Sequence, residues 1–154
     1  MKTCLRFAII AALMVTNVAA ADLSAEQIRA ALKAASPTAP ADFAGKDLSD
    51  LDLSGLDFRK TNLRGASLFA SKLVEANFRE ATLEGANLNG AWLMGTDFTG
   101  ANLSRASLLS VVILGGAVKK MPVFKGTNLS GAKMIADLPG ADLSGADFSG
   151  AMVG

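Results

Sequence analysis

Four carboxylates stand five residues apart, Asp42, Asp47, Asp52 and Asp57. Oxygen ligands of this kind suit a hard cation if they converge on one point. A spacing of five matches neither the 3.6 residues of a helix turn nor the alternation of a strand, so no local element gathers them, and no metal site is expected. The chain has no histidine, no tyrosine and a single cysteine, Cys4. Ser-His-Asp and Cys-His catalysis and the usual zinc ligand sets are thereby excluded, so no catalytic residue and no cofactor are expected. The remaining side chains of note bind rather than react. They are the only tryptophan, Trp92, the apolar residues Phe69, Val74, Met94, Leu109, Val112 and Leu114, and the lysines Lys119, Lys120 and Lys125 within Gly115–Gly126.

The element that positions them is a repeat. From Phe43 to Ile113 every fifth residue is Leu, Phe or Ile, commonly preceded by Asp or Asn and, one place earlier, by Ala. The segments Ala86-Asn87-Leu88-Asn89-Gly90 and Ala141-Asp142-Leu143-Ser144-Gly145 show the unit. A short fixed period of this kind belongs to solenoids. Phe58, Phe78 and Phe98 recur every twenty residues, which predicts four repeats per coil and one aromatic column, continued by Val118 and Leu138. Side chains inside a narrow tube must alternate large with small, which accounts for the alanines. Glycines two places after the central residue, such as Gly45, Gly65 and Gly85, suit corners of unusual φ.

The A(D/N)LXX pattern over residues 41–154 resembles the pentapeptide-repeat family. That resemblance implies an all-β solenoid, a right-handed parallel β-helix of near-square section with the central residue and the alanine pointing inward. About five to six coils, at ~4.8 Å each, give a rod of roughly 25 Å. The Asp or Asn at each wall then faces solvent, so Asp42, Asp47, Asp52 and Asp57 point four different ways. Neighbours twenty residues apart should pair: Asp52 with Lys72, Lys60 with Glu80, Arg64 with Glu84. Arg59 over Arg79 is a like-charge conflict, expected to be relieved by solvent. Leu129 and Met134 run one residue late, and Leu138 is back in frame. A bulged corner at Phe124–Thr127 and a tightened one near Ala136 are expected.

Ahead of the repeat, Asp22 to Ala35 reads as a short capping helix with Ser24 as N-cap, Gln27 completing a capping box, Leu23 and Ile28 as a hydrophobic staple, and Pro37 and Pro40 ending it. Lys2 and Arg6 ahead of the apolar run Phe7–Val15, then Val18-Ala19-Ala20-Ala21, read as a secretory signal peptide over residues 1–21, cleaved near Ala20 or Ala21. Expected domains are therefore 1–21, 22–40 and 41–154. The expected address is periplasmic or secreted, with no transmembrane segment in the mature chain. Loss of Lys2 and Arg6 takes the basic count from 15 to 13 against 14 acidic residues, leaving a net charge of about −1 and no bias toward nucleic acid.

The expected function is a non-enzymatic interaction or structural module. Phe69 and Leu109 on wall two, with Val74, Trp92, Met94, Val112 and Leu114 on wall three, should form one apolar patch, serving a partner or covered by the N-terminal helix or the 115–127 segment. Lys119, Lys120 and Lys125 make a candidate basic corner. The partner is an unknown protein, with a second copy joined through the patch or the last coil as one option. Two alternatives differ in class. An envelope glycan could stack on Trp92 beside Asn87, Asn89 and Lys72. The resemblance also implies a DNA-mimicking gyrase binder of the quinolone-resistance kind, against which the near-neutral charge and the leader argue.

Overall fold

The computed structural model describes residues 22–113, 120–136 and 138–154. The signal-peptide reading of residues 1–21 lies outside them. No helix among the described residues is long and apolar enough to cross a membrane.

The five-residue period becomes a four-walled solenoid. Asp42 bridges Asn62, Asp57 bridges Asn77 and Asn77 bridges Asp97, all in parallel and twenty residues apart. Each central residue donates its N–H upward, as in Leu63 N to Thr82 O at 2.7 Å and Phe78 N to Asp97 O at 2.7 Å. The residue before it donates downward, as in Asn77 N to Leu56 O at 2.9 Å. The ladder thus satisfies a backbone that would be costly to bury unpaired. We number the walls by their first central residue: one from Phe43, two from Leu48, three from Leu53, four from Phe58. On wall two the later laps form three parallel strands, β1 (Ser107–Leu109), β2 (Lys133–Ile135) and β3 (Met152–Val153), in that order.

Central residues from Leu48 to Leu108 are fully buried, and the alanines two places earlier, such as Ala66, Ala86 and Ala106, lie beside them. Four inward small positions hold hydroxyls instead, Thr61, Ser71, Thr96 and Thr127. Ser71 Oγ donates to Leu48 O at 2.8 Å, Thr96 Oγ1 to Leu73 O at 2.8 Å and Thr127 Oγ1 to Phe98 O at 2.7 Å. A buried hydroxyl is tolerated because each of these three finds a carbonyl of the preceding lap.

The aromatic column forms on wall four. Phe58 and Phe78 stack at 4.7 Å and 1°, and Phe78 and Phe98 at 5.3 Å and 16°. Its continuation differs from the strict twenty-residue expectation. Phe124, not Val118, stacks on Phe98, at 5.2 Å and 9°. Above it comes Leu143, not Leu138, because Phe124 N donates to Asp142 O. Val118 lies outside the described residues. The physical reason is one enlarged lap. Trp92 still bridges Val112, but Asp97 bridges Val123, twenty-six residues on. Leu93 N donates to Val112 O, while Gly95 N donates to Lys120 O. The six surplus residues are therefore 114–119, and Phe124–Thr127 is a regular step, not a bulged corner. The compensating loss is found: Val123 bridges Asp142, nineteen residues on, which places the tightened corner between Ile135 and Asp142.

The helix α1 (Ala25–Ala34) carries the expected capping box, with Gln27 N bonded to Ser24 Oγ and Ser24 N to Gln27 Oε1. Ile28 is fully buried in the solenoid's apolar cluster and Leu23 packs against it. Asp22 N donates to Asp47 O at 2.9 Å, and Asp47 N donates to Asp22 Oδ2 at 3.0 Å. Asp22 thus takes the hydrogen-bonding place of a lap beneath the first one.

Candidate functional site

The carboxylate ring does not converge. Asp42, Asp47, Asp52 and Asp57 each accept the N–H two residues on, from Ala44, Ser49, Ser54 and Arg59, at 2.9–3.2 Å. Their role is to lock the step between wall and corner, a local bond that only a short Asp or Asn side chain can make. The Ser49 and Ser54 side chains first, and their backbone N–H groups second, hold Asp47 and Asp52 below the usual carboxylate range. Asp57 is lowered chiefly by the Arg59 guanidinium.

Charge pairs follow the lap register in part. Lys60 meets Glu80 at 3.5 Å and Arg64 meets Glu84 at 2.9 Å. Glu84 also holds Arg105. Asp52 and Lys72 are bridged through their backbones. The Lys72 ammonium, however, lies over the Trp92 ring, 5.8 Å from its centroid, at a distance where cation–π attraction operates. The Arg59–Arg79 conflict is met by carboxylates as well as solvent: Arg59 binds Asp57 and Arg79 reaches Asp97 at 3.3 Å.

The apolar set forms a smaller surface than its seven residues suggest. Phe69 is 47% and Trp92 40% exposed, with Leu109, Val112 and Val74 half-buried. Trp92 stands between Lys72 and Val112 on wall three, and Phe69, Asn89 and Leu109 rise in that order on wall two. The two columns flank one corner, and among the described residues none buries Phe69 or Trp92. Met94 does not belong to this surface: it is buried. Its outward placement assumed an unbroken twenty-residue lap, and the lap above it is the enlarged one, with Lys120 as its neighbour. Leu114 lies outside the described residues.

Sequence reasoning missed two neighbours. Ile135, the lap partner of Leu109, is 59% exposed, and Met152, the partner of Lys133, is 61% exposed. Both stand at outward steps of the repeat, Ile135 after Met134 and Met152 before Val153, so the signal was present in the sequence and was not joined to the patch. They extend the apolar strip toward the last lap, where Leu143 and Val153 are also exposed beside a small apolar hollow lined by Met134, Leu138 and Phe148.

The polar groups beside Trp92 serve the fold. Asn89 Oδ1 accepts from Ser107 Oγ at 2.7 Å and Leu109 N at 2.8 Å, and Asn87 Oδ1 accepts from Asn89 N. The basic corner divides. Lys120 sits on wall three with its ammonium 3.3 Å from Glu75, whereas Lys125 sits on wall four, its carbonyl bonded to Gly100 N. The six surplus residues precede Lys120, so Lys120 and Lys125 occupy successive walls. Lys119 lies outside the described residues.

A parallel solenoid with four five-residue steps to the lap, a plugged interior and Asx-locked corners defines a repeat protein whose surface, not interior, is available for function. The family description "Pentapeptide repeats" matches residues 41–69, 62–100, 71–109 and 136–152, in 8 copies. The chain belongs to the pentapeptide-repeat family. Among solved structures, a pentapeptide repeat protein from the Arabidopsis thaliana thylakoid lumen is 31% identical, over 79% of this chain and 70% of that one, with a TM-score of 0.47. One from Nostoc is 24% identical, over 76% and 88%, with a TM-score of 0.39. The plasmid-mediated fluoroquinolone resistance protein QnrB1 is 20% identical, over 73% and 67%, with a TM-score of 0.30. No curated protein matches the sequence.

Proposed function

We propose that this protein is a non-enzymatic interaction module of the cell envelope, exported by its N-terminal leader, and that it meets a protein partner through the wall-two/wall-three corner. In this reading the solenoid is right-handed, with about five to six coils, and α1 closes its first end. The observation that carries the proposal is the exposure of two aromatic side chains, Trp92 and Phe69, at one corner. Water-exposed aromatics beside half-buried aliphatics are costly to leave uncovered, and tryptophan dominates many contact surfaces. Export is supported by Lys2, Arg6 and the Phe7–Val15 run. A second copy is one form the partner takes; the exposed Leu143, Met152 and Val153 offer another apolar face for pairing.

The test is Trp92→Lys. Wild-type mature protein is expected to retain an envelope protein on an affinity column, or to sediment as a dimer, and the variant to lose that association at an unchanged circular dichroism spectrum. Equal retention and equal sedimentation by a folded variant would refute the corner as the contact.

A further inference from the structure

On the corner diagonally opposite Trp92, between walls four and one, the end of α1 and the turn after it border a cleft of about 450 Å³. That volume lies within the range of small-molecule sites. Its two sides differ in chemistry. Leu32, Ala35, Pro37 and Pro40 make one side apolar. The other carries Arg59, Lys60 and Arg79 against Asp57 and Glu80, with Asp97 bonded to Arg79 from the lap above, so that the two signs balance.

The cations are not consumed by their partners. Arg59 commits Nε and Nη2 to Asp57 and Arg79 commits Nη1 to Asp97. Among the described residues, Arg59 Nη1 and Arg79 Nε and Nη2 bond to nothing else. The Lys60–Glu80 pair spans 3.5 Å with both side chains 64% exposed, so water screens it. The lap register stacks the Arg59 and Arg79 backbones ~4.8 Å apart, and each side chain turns to its own carboxylate. Nothing in the fold asks for arginine there, since Ser49, Asn89 and Thr99 fill the equivalent step elsewhere.

We propose that this cleft binds a monoanionic amphiphile of the medium-chain carboxylate class, its carboxylate on Arg59 and Arg79 and its alkyl chain along Leu32, Ala35 and Pro37. A carboxylate offers two coplanar acceptor oxygens to the N–H groups that Arg59 Nη1 and Arg79 Nε and Nη2 leave unused. The apolar side removes the chain from water at the usual gain per unit area.

Octanoate titrated into the full mature protein, followed by amide NMR shifts, tests this. Saturable shifts are expected at Ala35, Lys60 and Arg79, with 1-octanol binding about tenfold more weakly. Arg79→Gln should weaken octanoate by about tenfold while Arg79→Lys retains most of the affinity, both with wild-type amide dispersion. The proposal is overturned by no shift, by equal binding of 1-octanol, by unchanged affinity in Arg79→Gln, or by shifts centred on Trp92 or the last lap.

Discussion

The corner residue two places after each central Leu or Phe carries a backbone demand that glycine meets and other residues endure. It has positive φ on lap after lap: Gly65 at 64°, but also Lys60 at 58°, Glu75 at 55° and Arg105 at 60°. A left-handed conformation costs a residue with a Cβ about 1–2 kcal/mol. A Cβ on Gly65 would meet nothing within 4 Å, so the cost of Gly65→Ala is that of the backbone alone. We expect Gly65→Ala to lower stability by about 1 kcal/mol, read from the urea midpoint at unchanged slope. The glycine preference at corners was legible in the sequence. The Asx bond was not, because an Asp or Asn that faces water and one that locks a turn leave the same letter in the repeat. The hydroxyls of Ser71, Thr96 and Thr127 escaped for a similar reason: nothing in a one-residue substitution for Ala announces the carbonyl waiting a lap below.

At the scale of the element, the enlarged lap shows where a period stops being informative. One added residue and six added residues shift a five-residue repeat by the same amount. The late positions of Leu129 and Met134 are therefore equally consistent with one residue added at Phe124–Thr127 and with six added between Ile113 and Lys120. Only the ladder decides, through Gly95 N to Lys120 O and the stacking of Phe124 on Phe98. Because Lys120 occupies the step after Ile113, excision of residues 114–119 should restore a regular lap. The shortened protein is expected to keep the wild-type circular dichroism spectrum and a melting temperature within a few degrees, since a shorter connection carries no closure penalty. Collapse of the fold on excision would contradict this register. The helix was better served by its sequence: Ser24 and Gln27 form the capping box they specify, while Ile28 is buried in the apolar cluster and Leu23 packs against that cluster.

At the scale of the molecule, the same carboxylates repeat on every wall and give the protein a collective pH response. Asp47 and Asp52 lie below the usual range through serine donors and Asp57 through Arg59; Asp142 and Asp147 follow through Ser144 and Ser149. A folded pKa below the unfolded one contributes stability that is complete above the ordinary carboxylate range, near about 4, and is lost as pH falls through the folded value. The melting temperature should therefore drop at about pH 3 relative to neutral pH, each exposed group adding little and the repeat adding them up.

The solenoid as a whole was legible because its interior is periodic. Its surface was only partly so, since the neighbours of Met94 depend on a register that one irregular lap resets. The contact corner is the claim on which the functional account rests, and site-specific photo-crosslinking in intact cells tests it most directly. A benzophenone side chain in place of Phe69 is expected to form a discrete adduct with one partner, while the same group in place of Ser104, on wall one, forms none. Adducts from both positions alike, or from neither, would contradict the account.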